Sequence, residues 1–186
     1  MIMEKTIRGT AYVFGDNIDT DQIYPGRYLE LTDPQHLAAH VMEGADPGFR
    51  DRFVAGGIIV AGNNFGCGSS REHAVIALQS SGVQMIVTES FARIFFRNSI
   101  NLGFPLMICT GVRSASEDGD LIAIDLAAGT VVNESKKEIL GGDPLSPFVF
   151  DILNAGGIKP LMKKRFNGDC GQEGKFGAIL KNADYR

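Results

Sequence analysis

Three short apolar runs punctuate the middle of the chain: Ile58-Ile59-Val60-Ala61, Val83-Gln84-Met85-Ile86-Val87 and Leu106-Met107-Ile108-Cys109. Their length and β-branched content mark them as buried strands. The first leads through a polar, glycine-rich loop into Ala74-Val75-Ile76-Ala77-Leu78, which predicts an inward-packing helix. The second leads into a predicted helix over Ser90 to Asn101, closed by Gly103. Strand-helix units in succession need crossover connections, so these strands are expected to be parallel. An opening strand is predicted over Ile7 to Phe14, and Asp33-Pro34-Gln35-His36-Leu37 starts a helix with proline at its first position, ending near Gly44. Beyond Gly111 the pattern changes. Leu121-Ile122-Ala123-Ile124-Asp125 and Gly129-Thr130-Val131-Val132 flank a tight turn at Ala127-Ala128 and read as a hairpin. Pro147 to Asn154 predicts a short helix stopped by Gly156-Gly157. The fold class that follows is α/β, with a mixed or partly parallel sheet flanked by helices and no internal repeat.

Composition narrows the function classes. At 186 residues and 44% hydrophobic, the chain can bury one substantial core. The net charge of −4, with no basic cluster larger than Lys163-Lys164-Arg165, argues against nucleic acid as the main partner. Cys67, Cys109 and Cys170 are odd in number, widely spaced and without a CxxC pair, which suits a reducing cytosol better than a disulfide framework. No stretch approaches the roughly 20 apolar residues of a membrane span, and the first residues lack a signal-like apolar core, so a cytoplasmic protein without membrane contact is expected.

The chemistry concentrates in Asn63-Asn64-Phe65-Gly66-Cys67-Gly68-Ser69-Ser70-Arg71-Glu72-His73, where a glycine-rich loop becomes a helix. Gly66 and Gly68 permit positive φ and close approach of backbone to a ligand. Ser69 with Glu72 fits a capping box, which predicts Ser69 as N-cap and a helix starting near Ser70. Free amide hydrogens and the positive end of the helix dipole would then meet the two hydroxyls and the Arg71 guanidinium, a setting for a carboxylate. The segment Gly15-Asp16-Asn17-Ile18-Asp19-Thr20-Asp21 is expected to form an ordered turn whose acids cap amides. Calcium is disfavoured because the EF-hand glycine and terminal glutamate are missing, and nucleotide loops are disfavoured because neither the Gly-Lys-Ser/Thr pattern nor a third fingerprint glycine is present. Cys67 reads as a small loop residue rather than a nucleophile. Phe91, Ile94, Phe95 and Phe96 read as a buried helix face, with Arg93 and Arg97 pairing loop acids such as Asp19.

Several of these segments, in this order, resemble the swivelling domain of the aconitase superfamily, and within it the separate small subunits of the 3-isopropylmalate dehydratase family. They are Gly15 to Ile23, Pro25-Gly26-Arg27-Tyr28-Leu29, Asn64 to Ala74 and Ser90 to Asn98, with a weaker echo in Ile152 to Gly157. The resemblance implies a three-layer swivelling domain over 1–165, with 166–186 as an extension about which it says nothing. It also implies a half-enzyme: a large iron-sulfur dehydratase subunit holds a [4Fe-4S] cluster on three cysteines, this chain binds no cofactor or metal itself, and the reaction is reversible dehydration and rehydration of a small hydroxy acid.

The resemblance implies roles for individual residues. Ser69, as an alkoxide, would be the base that removes the carbon-bound proton, and Ser70 and Arg71 would grip a substrate carboxylate. Asp21 matches an acidic position lining the site, and Arg27 would also face substrate. Tyr28, Leu29, Glu30 and Leu31 fall where the distinguishing substituent is met. The two leucines suit an alkyl group and Glu30 would repel a further carboxylate, so an alkylmalate such as 2-isopropylmalate, in leucine biosynthesis, is the expected substrate. Related dehydratases of the homoaconitase, 2,3-dimethylmalate or citramalate type, and a non-catalytic carboxylate-binding or partner-docking module, stay open as alternatives, as does self-association of the isolated chain.

Overall fold

A computed structural model describes residues 6–69 and 71–168. Seven strands form one sheet: β1 (Thr6–Val13), β2 (Ile58–Ala61), β3 (Met85–Thr88), β4 (Leu106–Ile108), β5 (Leu121–Asp125), β6 (Thr130–Asn133) and β7 (Glu138–Gly141). The helices are α1 (Thr20–Ile23), α2 (Pro34–Ala39), α3 (Phe49–Arg52), α4 (Glu72–Ser81), α5 (Arg93–Asn101), α6 (Val112–Ala115), α7 (Pro147–Asn154) and α8 (Ile158–Gly168). None of the described helices is long and apolar enough to cross a membrane. The boundary expected at 165 falls inside α8.

The strand order β4-β3-β2-β1-β5-β6-β7 divides the sheet into two halves. β4, β3, β2 and β1 pair in parallel, with Ala11 opposite Ile58, Ile58 opposite Met85 and Ile86 opposite Leu106. β1, β5, β6 and β7 pair antiparallel, with Ile7 opposite Ile124 and Ile124 opposite Val131. Burial follows this division: every residue of β2 and β3 is buried, whereas β5 and β6 alternate. Crossover helices cover both faces of a parallel strand, while an antiparallel strand can leave one face wet. The predicted hairpin is present, and the sheet gains β7, which the polar run around Lys136-Lys137-Glu138 did not signal.

Alternate side chains of the parallel strands feed two cores. Ile59, Ala61, Ile86 and Leu106 pack with Leu37 of α2, Val75 and Leu78 of α4, Phe95 of α5, Leu153 of α7 and Leu161 of α8. Ile58, Val60, Met85 and Val87 pack on the other face with Val112 of α6 and with Ile122, Ile124 and Val131 of the antiparallel half. Full burial of one such side chain contributes about 1.5–3 kcal/mol, so the pleat of two four-residue strands stabilises both layers.

Helix ends differ from the periodicity. α2 stops at Ala39, and the chain continues to Gly44 through turns in which Met42 takes φ +58. α5 starts at Arg93 because Phe65 and Phe91 form a parallel bridge that keeps residues 90–92 extended. Ile94 is 44% exposed rather than buried, while Phe95 packs inward. Arg93 and Arg97 are exposed and make no ion pair among the described residues, since Asp19 is occupied in capping α1.

Candidate active site

Three loops leave the carboxyl ends of β1, β2 and β3 and are laced together by their main chains. Gly62 N donates to Gly15 O at 3.1 Å, Asn17 N to Asn63 O at 2.8 Å, Gly66 N to Ile18 O at 2.7 Å and Thr20 N to Cys67 O at 2.9 Å. On the other side Phe65 N donates to Ser90 O at 3.0 Å and Ala92 N to Phe65 O at 2.9 Å. The carboxyl edge of a parallel sheet is the usual place for a ligand, and here its loops are joined by main-chain hydrogen bonds. Acids serve this lacing as expected: Asp16 accepts from Asn63 N at 2.6 Å.

Gly66 is a tight point of the serine loop. Its φ is +77, and a Cβ there would stand 2.2 Å from Cγ of Phe95, which packs edge-on against Phe65 with ring centroids 5.4 Å apart. Gly66→Ala is therefore expected to destabilise the chain by about 2–3 kcal/mol through overpacking and a left-handed backbone. Chemical denaturation checks this; a midpoint equal to that of the parent would refute it. Gly68, at φ +91, comes close to Thr20, whose Oγ1 would lie 3.3 Å from a Cβ.

The helix beyond this loop starts later than its sequence suggests. Arg71, with φ −125 and ψ 111, is the N-cap of α4, and no side-chain oxygen caps the helix. The Ser69–Glu72 capping box does not form, because Arg71, with extended backbone, takes the N-cap position and Ser69 turns toward Thr20 of α1. The box forms instead in the neighbouring loop: Asp19 Oδ1 accepts from Gln22 N at 2.7 Å, and Gln22 Oε1 accepts from Asp19 N at 3.2 Å. That signal was present in Asp19-Thr20-Asp21-Gln22. Without a side-chain cap on α4, its first-turn amides keep their capacity for an external anion.

Ser69 is exposed, and its Oγ lies 3.4 Å from Oγ1 of Thr20, a residue only 2% exposed. Thr20 is the partner that the sequence did not single out. Arg71, 20% exposed at its side chain, donates from Nη1 to Asp21 Oδ1 at 2.5 Å, and Gly26 N donates to the same oxygen at 3.0 Å. The hydrogen bond from Arg71 is the main reason that the Asp21 carboxyl lies below its ordinary range, against a smaller opposing influence of burial. A Cβ on Gly26 would come within 3.2 Å of Arg71 Nη1, so glycine leaves room for the guanidinium. Ser70 lies outside the described residues.

Of the remaining expected site residues, Arg27 lines a shallow hollow of ≈ 350 Å³ together with Asp19, Asp21, Gln22, Pro25, Gly26 and Gly44, whereas residues 28–31 are not part of its lining. Arg27 lies over the Tyr28 ring at 4.8 Å and is ion-paired with Glu43. Tyr28, Leu29 and Leu31 are half-buried and lean on the larger core, while Glu30 is exposed. The Tyr24 hydroxyl donates to Tyr28 O at 2.9 Å.

The described residues do not fit a metal or cluster: no group of three or more histidine, cysteine, aspartate or glutamate side chains converges among them. Cys67 is engaged through its backbone, and burial pushes the Cys109 thiol up to about 11, which keeps it protonated at neutral pH.

Comparison with known proteins places this geometry. Residues 55–109, which carry β2 through β4 and the serine loop, match the model of the Aconitase C-terminal domain family. The 3-isopropylmalate dehydratase small subunit 1 of Methanopyrus kandleri is 57% identical over 87% of this chain and 95% of its own length. The chain belongs to the 3-isopropylmalate dehydratase small-subunit family. The isopropylmalate/citramalate isomerase small subunit of Methanocaldococcus jannaschii is 47% identical over 88% of this chain and 97% of its own length. A crystal structure of 3-isopropylmalate dehydratase from the same organism superposes with a TM-score of 0.84 at 43% identity, covering 89% of this chain and 98% of that one. Membership of this small-subunit family accords with the α/β swivelling architecture described above.

Proposed function

We propose that this chain is the small subunit of a two-subunit hydro-lyase that, with a large iron-sulfur subunit, interconverts 2-isopropylmalate and 3-isopropylmalate in the leucine pathway of the cytoplasm. The observation that carries the reading is the exposed Ser69 hydroxyl beside Thr20 of α1, with the Arg71 guanidinium, two residues on, paired to Asp21 of the same helix. A hydroxy dicarboxylic acid offers a carboxylate to Arg71 through charge-assisted hydrogen bonds. Ser69, as alkoxide, takes the proton from the carbon beside a carboxylate, the electron pair forms the alkene, and the hydroxyl leaves from the neighbouring carbon. Return of one proton and one hydroxyl, each to the carbon the other had left, gives the isomer. The [4Fe-4S] cluster assigned to the partner supplies Lewis-acid assistance at the departing hydroxyl. Ser70 is assigned to the same carboxylate as Arg71, Asp21 to holding Arg71, Arg27 to the lining of the hollow, and residues 28–31 to the alkyl substituent.

A serine is a weak base unless its anion is stabilised. The family membership, the uncapped amino end of α4, the nearby guanidinium and the Thr20 hydroxyl all support that role for Ser69. Thr20→Val keeps the shape and removes one donor. Turnover of the assembled complex is expected to fall about tenfold, in line with a single neutral hydrogen bond, with KM nearly unchanged. Steady-state kinetics with both substrate isomers checks it.

The test of the whole reading is reconstitution. The purified chain is mixed with a cluster-loaded large subunit and alkene formation from 2-isopropylmalate is followed by ultraviolet absorbance. Activity in the mixture and none in either part is expected. Failure to stimulate the large subunit on any alkylmalate, together with carboxylate binding by the isolated chain, would favour a non-catalytic binding module instead.

A further inference from the structure

Two consecutive side chains of the loop over residues 26–31 are held from outside by one carboxylate. Glu43, in the turn after α2, accepts through Oε1 from the Arg27 guanidinium and, at 3.2 Å, from the Tyr28 hydroxyl. Its Oε2 lies 2.7 Å from His40 Nδ1. His40 in turn stacks on Tyr28, ring centroids 3.6 Å apart and planes 13° from parallel. Glu43 therefore grips two consecutive residues of the loop, one of them a second time through the imidazole. Burial, the largest single influence, works to raise the Glu43 carboxyl, but hydrogen bonds from His40, Arg27 and Tyr28 together carry it below its ordinary value. The group is an anion tied into a network, not a free surface acid.

The turn that presents Glu43 is itself fastened to the site. Met42 N donates to Ile23 O at 2.7 Å and Gly44 N to Gln22 O at 3.1 Å. A Cβ at residue 44 would stand 2.6 Å from Gln22 Cα and 2.8 Å from Asp21 O, so glycine alone allows this approach. Glu43 is thus registered against the backbone of Asp21 to Ile23, beside the Arg71–Asp21 pair, and transfers that register to Arg27 and Tyr28.

We propose that Glu43 is a positioning residue for substrate selection, holding Arg27 and Tyr28 so that residues 28–31 meet the substituent of the substrate in one fixed attitude. This rests on the dehydratase reading above, in which that loop faces the alkyl group. Selection between alkyl groups depends on small differences of fit, each methylene being worth roughly 10–200-fold when the pocket is well defined. A loop released from its anchor samples several positions and loses that discrimination before it loses chemistry, because the Ser69 loop is held by other bonds.

The experiment uses the assembled complex with the large subunit. kcat/KM for 2-isopropylmalate relative to citramalate is measured for the parent, Glu43→Ala and Glu43→Gln. The ratio is expected to fall roughly tenfold in Glu43→Ala, chiefly through a higher KM for 2-isopropylmalate, with partial recovery in Glu43→Gln, which keeps the length and one acceptor. An unchanged ratio, or an equal loss of kcat on both substrates with KM unmoved, overturns the proposal. If Glu43→Ala does not assemble, the ratio in Glu43→Gln decides, and a value equal to the parent overturns it. A parent complex inactive on both acids rejects the dehydratase reading and this inference with it, which separates the two failures.

Discussion

Ser69→Ala is expected to leave the complex with its large subunit intact while lowering turnover by roughly 10²–10⁴-fold, the usual contribution of a positioned acid-base group. The fold should not register the change. Ser69 is exposed, and the loop around it is fixed by main-chain bonds from Gly66 N to Ile18 O and from Thr20 N to Cys67 O, none of which uses the serine oxygen. Loss of kcat with unchanged thermal midpoint and unchanged elution of the complex is therefore the predicted pattern. KM should move little, because the carboxylate grip stays with Arg71. Turnover within a few-fold of the parent would remove Ser69 from the role of base.

Arg71→Ala is expected to lower kcat/KM by roughly 100-fold or more, since it removes a hydrogen-bonded charge and leaves its partner acid unpaired. Arg71→Lys should recover only part, because an ammonium cannot reproduce the planar fork that binds a carboxylate in two places. The same substitution has a signature in Asp21. The hydrogen bond from Arg71 is the chief cause of its lowered carboxyl, so in the parent the pair is complete above the ordinary carboxylate range and is lost as pH falls through the lowered folded value. In Arg71→Ala the pair is gone and the Asp21 carboxyl takes up its proton at higher pH. The Asp21 side chain is 59% exposed, so solvent screens the effect on stability and carboxyl titration by NMR is the better readout. An Asp21 titration that ignores the substitution would contradict the pairing.

Much of this was legible along the chain, and the misses share one cause. The parallel half of the sheet announced itself because β2 and β3 are buried on both faces, which writes a continuous apolar run. β7 did not, because three of its four residues are exposed and its pairing with β6 depends on backbone, not on a side-chain pattern. Capping-box spacing predicts a start of α4 near Ser70, yet Arg71 is its N-cap and the box closes one loop away, between Asp19 and Gln22. Local rules propose such boxes at every suitable spacing; contacts between loops decide which one closes.

The site divides in the same way. The residue types at Ser69, Arg71 and Asp21, the order of the motifs and the family they imply were readable without coordinates, because they are chemical identities at short spacings. The 3.4 Å approach of Thr20 to Ser69, the grip of Arg71 on Asp21 and the three contacts of Glu43 were not. Each joins residues from separate segments, and their meeting depends on how three strand-end loops lace together and on where glycine allows backbone to approach. Sequence alone determined which groups can bind an acid and move a proton; only the tertiary structure decided which of them stand side by side, since proximity between distant segments is a property of packing and leaves no local pattern to read.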